Sequence, residues 1–137
     1  MASILKVDTI TGVATAGSIA ITGEGNSTTT NLQQGLVKYW INFNATQIPP
    51  LLKDSFNHAS LTDNGTGDFS FTFTNAMNNA SYCIQTTSSR YDSVIADASG
   101  FSGTDPTTTA FRTKYFASNE SISDGHITCA QVSGDLA

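Results

Sequence analysis

Apolar and polar residues alternate with a period of two along much of this chain, which is the pattern of half-buried β-strands. The segment Phe69 to Thr74 alternates without a fault and places three phenylalanines on one face. The stretch that runs from Gly35 to Asn44 alternates in the same way, with Trp40 on the opposite face from Val37, Tyr39, Ile41 and Phe43. These two segments are predicted to be core strands.

Further short strands are predicted at 51–57, 82–86, 93–96, 110–116 and 126–132. The Asn64-Gly65 pair is the strongest hairpin signal, because both residues accept a positive φ. The strands that begin at Phe69 and Tyr82 are expected to pair as a meander. Since no segment of ten or more residues has a helical period, residues 36–137 are predicted to be an all-β head, an antiparallel β-sandwich or a small barrel.

The first 35 residues form a different kind of segment. Two short β-like runs, 4–12 and 18–23, each end in Thr-Gly. Two-stranded pieces are marginally stable in water, because they bury too little apolar surface to offset backbone ordering. Residues 1–35 are therefore predicted to be an extended β-arm for assembly and docking, and its apolar contacts are expected from Ile4, Leu5, Val7, Ile10, Ile19 and Ile21.

Composition argues against several functional classes. Charged residues are only 12% of the chain, the net charge is −5, and the six basic residues are scattered. A phosphate-binding surface needs convergent cations, so no nucleic-acid partner is expected. No apolar run approaches the roughly 20 residues of a membrane span, so no membrane insertion is expected. The amino terminus also lacks an apolar signal-peptide region, and we expect folding in a cytoplasm.

Candidate catalytic and metal-binding residues are few. His58 and His126 lack the spacing of a zinc site and have no nearby partners of the right type. Two carboxylate pairs, Asp63/Asp68 and Asp92/Asp97, raise the possibility of a glycosidase, which needs two carboxyl groups roughly 5–10 Å apart across a cleft. Aspartates in turns usually bond their own backbone instead. We therefore expect no catalytic residues, no metal and no cofactor.

Recognition is expected elsewhere. The long polar loop 87–108 carries isolated aromatic residues, and its candidate receptor-contact residues are Arg90, Tyr91, Asp92 and Phe101. The alternative is that these aromatic residues fix the loop to the head or pack in a subunit interface. Trp40 and its neighbour Tyr39 are the candidate interface residues, because tryptophan is enriched at interface hot spots. The alternative for Trp40 is that it belongs to the second core face of a sandwich.

Two cysteines, Cys83 and Cys129, fall on predicted strands. They could be neighbours in a sheet and form a disulfide, although free buried cysteines are common in proteins that fold in the cytoplasm. Both possibilities stay open at this point.

Several segments together resemble a module of bacteriophage virion proteins, particularly tail-fibre and similar appendage proteins of marine phages. The resemblance is carried by 32–44, 54–57, 61–68 and 73–79 with Tyr82, and the start 5–12 resembles the beginning of such fibres. It covers about two-thirds of the chain and fades after Ser88. The chain departs from long fibres because it has no shaft, which favours a short fibre, a knob or a capsid decoration.

The resemblance implies a structural protein on the virion exterior. Such proteins are commonly homotrimers, with an N-terminal arm that contacts other virion proteins of the tail or capsid and a head that can meet a glycan or protein of the host surface. The alternatives from the residues themselves are a soluble carbohydrate-binding β-module and a glycan-degrading enzyme.

Overall fold

The alternating segments form two four-stranded antiparallel sheets that pack face to face. The computed structural model describes residues 6–12, 19–22, 29–89, 94–98, 105–117 and 121–134. Its elements, in chain order, are β1 Ala20–Thr22, β2 Thr29–Asn31, α1 Leu32–Gly35, β3 Val37–Asn44, β4 Leu51–Phe56, β5 His58–Gly65, β6 Asp68–Phe73, β7 Cys83–Ser88, β8 Val94–Ala98, β9 Ala110–Ala117 and β10 Thr128–Ser133. The all-β prediction is confirmed, because α1 is a single turn.

In each of the two sheets, strands that lie far apart in the sequence are neighbours. One sheet, here the β3 sheet, has the order β4-β3-β10-β7, and the other, the β6 sheet, has the order β5-β6-β9-β8. The predicted meander of the Phe69 and Tyr82 strands is therefore wrong. β6 pairs with β5 and β9, whereas β7 pairs with β10 in the opposite sheet. Alternation identified both strands but carries no information about which strand lies beside which.

An aromatic core joins the two sheets. Phe69, Phe71 and Phe73 are all buried, as predicted. Rings of β3 meet rings of the β6 sheet edge to face, with centroids 5.3 Å apart for Tyr39 and Phe111 and 5.1 Å apart for Phe43 and Phe69. Such aromatic pairs contribute about 0.5–1.5 kcal/mol each beyond the area they bury.

Two local details differ from the sequence prediction. Gly65 pairs with Asp68, so the hairpin loop is Thr66-Gly67 and not Asn64-Gly65. Gly67 takes the left-handed conformation with φ 63°, and a Cβ there would lie 2.7 Å from the carbonyl oxygen of Tyr115. The alternation of β3 also fails at its start. A register shift opposite Val132/Ser133 leaves Val37 36% exposed.

The chain passes from the β3 sheet to the β6 sheet at Asn57. This residue has a positive φ of 57°, which asparagine tolerates better than most residues. Its side-chain amide donates to the carbonyl oxygens of Lys38 and Asn75, and its Oδ1 accepts from the backbone N–H of Asn75. Asn57 thus supplies both the backbone conformation of the corner and the hydrogen bonds that hold it.

Backbone contacts divide the chain into two units, Met1–Gly35 and Leu36–Ala137. In the first unit, β1 and β2 form an antiparallel hairpin in which Ile21 faces Thr30. The strand predicted over 4–12 is absent from its described part, residues 6–12. Within the described segments, no helix is long and apolar enough to cross a bilayer.

Candidate functional site

A groove lies on the outer face of the β3 sheet, on the side turned away from the core. Alternate residues of its strands point outward because their neighbours point into the sandwich. Side chains from β3, β10 and β7 line the groove, which has a volume of about 480 Å³: Trp40, Asn42, Gln85, Thr87, Cys129 and Gln131. Small-molecule sites in proteins range over roughly 300–1,000 Å³, so the groove is large enough for a small ligand.

Strand register arranges these side chains in two rows across the sheet. In the first row, Trp40 faces Gln131, and Gln131 faces Gln85 on the next strand. In the second row, Asn42 faces Cys129, and Cys129 faces Thr87. Directly opposed residues have Cβ atoms about 4.5–5.5 Å apart, so each row is a continuous strip of side chains.

The lining carries amide and hydroxyl groups but no charge, and most of its accessible surface is apolar. No described residue that lines the groove is an aspartate, glutamate, lysine or arginine. Burial raises the pKa of the Cys129 thiol, an effect that nearby Lys53 partly opposes, so the thiol is neutral near pH 7. A ligand held there would have to be recognised by neutral hydrogen bonds and by contact with the indole of Trp40.

Some hydrogen-bonding capacity in the groove is unused. The Oδ1 atom of Asn42 is buried, and no described group donates a hydrogen bond to it. Gln131 Nε2 donates to Gln85 Oε1 at a long 3.4 Å, which leaves the other half of each amide open. Since a buried acceptor without a donor costs about 1–3 kcal/mol, Asn42 is a position where a donor from a ligand would be favourable.

The carboxylates considered from the sequence serve other purposes. Asp63 accepts a hydrogen bond from the backbone N–H of Gly65, as expected for an aspartate in a turn. Asp68 accepts two hydrogen bonds from Arg112 and lies 3.5 Å from the Lys114 ammonium. Its pKa is lowered, chiefly by the hydrogen bond from Arg112. Asp92 lies outside the described residues, as does the side chain of Asp97.

The two histidines lie in separate places. Nδ1 of His58 is 3.0 Å from the Tyr39 hydroxyl, and burial lowers the pKa of its ring. His126 is exposed, and its Nδ1 lies 3.4 Å from the Thr46 hydroxyl. Among the described residues, no group of three or more histidines, cysteines or acidic side chains could hold a metal ion.

The predicted interface residues separate onto the two faces of β3. Trp40 is partly buried and lies on the outer face, where it lines the groove. Tyr39 is fully buried and packs among core rings, so the prediction of a surface interface role for Tyr39 is wrong. The cause is the strand period, which sends adjacent side chains to opposite faces.

The other predicted residues divide between exposed positions and segments outside the description. In the first unit, Val7, Ile10 and Ile21 are each more than half exposed, and Ile19 is intermediate. Ile4 and Leu5 lie outside the described residues. The whole candidate receptor-contact set does so too: Arg90, Tyr91, Asp92 and Phe101.

The cysteine question is settled for this structure, since both thiols are free. β7 and β10 are neighbours, but Cys83 faces Ser133 and Cys129 faces Thr87. The two cysteines are therefore offset by four positions, about 13 Å along the strands. A disulfide needs Cα atoms about 4.4–6.8 Å apart, so this register excludes the bridge.

Sequence reasoning missed Asn42, Gln85, Thr87 and Gln131 as groove residues. Their outward positions could be read from the alternation, but their proximity depends on the pairing of β3, β10 and β7.

Comparisons of the chain with family models, with curated proteins and with solved structures gave no match in any of the three. The function therefore has to be inferred from the residues and their geometry.

Proposed function

We propose that this chain is a non-enzymatic structural protein of a bacteriophage particle, a short trimeric fibre or knob on the virion exterior, on tail or capsid. In this proposal residues 1–35 join the protein to its own copies and to other virion proteins, and residues 36–137 form the displayed head. The virion assignment rests on the resemblance of segments 32–44, 54–57, 61–68 and 73–79 with Tyr82 to phage appendage modules.

One observation supports the assembly role above all. Three of the described apolar side chains of the first unit are more than half exposed in the single chain: Val7 by 53%, Ile10 by 57% and Ile21 by 55%. Its hairpin has strands of only three residues, and such a piece buries little apolar surface of its own. Burial of these side chains against other copies would remove them from water and stabilise the unit.

The head also offers an apolar edge. β4 is an edge strand of the β3 sheet, and it exposes Leu51 by 56%, Leu52 by 43% and Phe56 by 51%. An exposed edge strand with apolar side chains favours pairing or packing with another chain. This edge supports a homotrimer whose subunits also contact one another through their heads.

The mass of the purified protein in solution tests the assembly role. Light scattering should give three times the chain mass of 14.4 kDa for the full chain and the mass of a monomer for a chain that lacks residues 1–35. Ile10→Asp should weaken the trimer, whereas Thr9→Asp, which adds the same charge beside it without removing an apolar side chain, should not. A stable full-length monomer would overturn the proposal, and imaging of the intact phage would locate the protein on the particle.

A soluble carbohydrate-binding module is the second candidate, favoured by the uncharged groove that contains Trp40. The two candidates differ in the role of residues 1–35. A monomeric chain that binds sugar equally well without this segment would favour the second candidate.

A further inference from the structure

We infer that the groove on the outer face of the β3 sheet is a binding site for a neutral saccharide, with Trp40 as its stacking platform. The groove belongs to the head whether or not the chain is part of a phage particle. The inference therefore names a ligand class and a site that the proposed assembly role does not require.

Because the described residues that line the groove are uncharged, the classes of ligand that it can bind are restricted. Charged side chains lie at its β4 border, where Asp54 faces Asn42 in register and Lys53 donates a hydrogen bond to the carbonyl oxygen of His126. On the floor of the groove a charged ligand would lose its hydration without gaining a partner of opposite charge. The ligand that fits is therefore neutral.

The side chains that remain suit a molecule rich in hydroxyl groups. The amides of Asn42, Gln85 and Gln131 each carry both donors and acceptors, and a hydroxyl both donates and accepts. The buried Oδ1 of Asn42, which has no donor among the described residues, would accept from a ligand hydroxyl once its side chain adjusts to the ligand. The weak Gln131–Gln85 contact of 3.4 Å can be exchanged for ligand hydrogen bonds at little cost.

Trp40 supplies the apolar component. Its ring stands beside Gln131, and Gln85 follows on the next strand of the same row, so a ligand above the ring would reach the Gln131 amide and a longer one would also reach Gln85. The negative face of an indole attracts polarised C–H groups, and one face of a pyranose ring presents a set of these. An aromatic platform bordered by neutral amides therefore matches a sugar ring in both shape and polarity.

A peptide ligand is less well matched to this surface. Extended peptides bind by adding a strand to a free sheet edge. β3 is already paired with β4 and β10, and β10 is paired with β3 and β7, so the two strands that carry Trp40, Asn42 and Gln131 have no free edge to offer. β7, at one border of the groove, is an edge strand of the sheet, and a peptide added there would lie beside the groove and not above Trp40. Recognition must come from side chains, which favours a ligand that carries many hydroxyl groups of its own.

Titration of the full chain with soluble saccharides tests the inference. The probes are maltooligosaccharides, mannan, galactan and chitotetraose, with sulfated dextran as the charged comparison. The chain has one tryptophan, so any change in indole fluorescence reports on Trp40 itself. We expect at least one neutral probe to change the emission and to slow alkylation of Cys129, and we expect sulfated dextran to do neither.

Variants distinguish the groove from other surfaces. Trp40→Ala and Gln131→Ala should each weaken binding of that probe about tenfold, read by calorimetry, while Trp40→Phe should keep part of the affinity. Thr62→Ala, an exposed position on the β6 sheet, is the matched control and should bind like the unaltered chain. Thermal melting of each variant must match the parent before its affinity is compared.

Two results would overturn the inference. The first is the absence of a Trp40 response to every neutral probe. The second is binding that Trp40→Ala, Gln131→Ala and Thr62→Ala leave equally intact. If Trp40→Ala instead lowers the mass in light scattering and no probe binds, Trp40 belongs to a subunit interface, which would leave the assembly proposal standing and the saccharide site refuted.

Discussion

Arg112 donates two hydrogen bonds of 2.6 Å to Asp68, from Nε to one carboxylate oxygen and from Nη2 to the other. The residues lie on neighbouring strands β6 and β9, offset by two positions, since Asp68 faces Lys114 and Arg112 faces Ser70. Asp68 is only 7% exposed, so this pair is the means by which a buried carboxylate keeps its charge in the head. Planar, two-bond contact of this kind is specific to arginine.

Acid should weaken the head through Asp68. The pKa of Asp68 is lowered in the folded protein, chiefly by the hydrogen bond from Arg112. At a pH between the pKa of Asp68 in the folded protein and its pKa in the unfolded chain, this carboxylate therefore binds a proton more readily in the unfolded chain. The stabilisation is therefore complete above the unfolded value, roughly pH 4, and is lost as the pH falls through the folded pKa. Urea midpoints of Asp68→Asn should change less between pH 5 and pH 3 than those of the parent.

The control for this measurement is Asp63→Asn, which removes a carboxylate from the same hairpin but outside the ion pair. It should keep the acid dependence of the parent. Equal pH dependence in Asp68→Asn and the parent would mean that the pair does not govern acid stability.

Asn57 should be sensitive to substitution for two separable reasons. Asn57→Ala loses the side-chain hydrogen bonds to Lys38 and Asn75 and also places a less tolerant residue at φ 57°. Asn57→Gly loses the same bonds but accepts the conformation. We expect a loss of unfolding free energy of about 1–3 kcal/mol for alanine and a smaller loss for glycine, measured by urea unfolding. Equal losses would show that the backbone conformation contributes nothing.

The aromatic core should tolerate little loss of volume. Phe71 is fully buried, and its ring contacts those of Tyr39 and Phe111. Phe71→Ala should cost about 3–5 kcal/mol of unfolding free energy, because it removes buried apolar area and leaves a cavity. Phe56→Ala removes the same ring from a position that is 51% exposed, so its effect should stay within about 1 kcal/mol. A small effect at both positions would contradict the aromatic core described above.

The thiols of Cys83 and Cys129 should react with thiol reagents at different rates and should not form a disulfide with each other. Cys83 is exposed, whereas Cys129 is partly buried and has a pKa raised by that burial. Since the thiolate is the reactive form, an aromatic disulfide reagent should modify Cys83 faster than Cys129 in the folded protein. Mass spectrometry after mild oxidation should find no bridge between them. A Cys83–Cys129 disulfide formed without unfolding would show that the register of β7 and β10 is wrong.

Much of the head could be predicted from local pattern. The alternation in β6 identified its buried phenylalanines, and the same rule placed Tyr39 and Trp40 on opposite faces of β3. Side chains along a strand point alternately to its two faces whatever its neighbours are, so strand identity and facing are local properties. The strand that follows Gly35 was accessible for the same reason.

Only the tertiary structure decided which strands are paired. Because the groove is built from paired strands, the tertiary structure also decided where the candidate site lies. Trp40, Gln85 and Gln131 lie far apart in the chain, and they share one row because β3, β10 and β7 are adjacent. The free cysteines and the position of the hairpin loop at Thr66-Gly67 also depend on register. The pairing that forms is the one that buries the apolar faces of all the strands together. It is therefore a property of the whole head and cannot be read from any single segment.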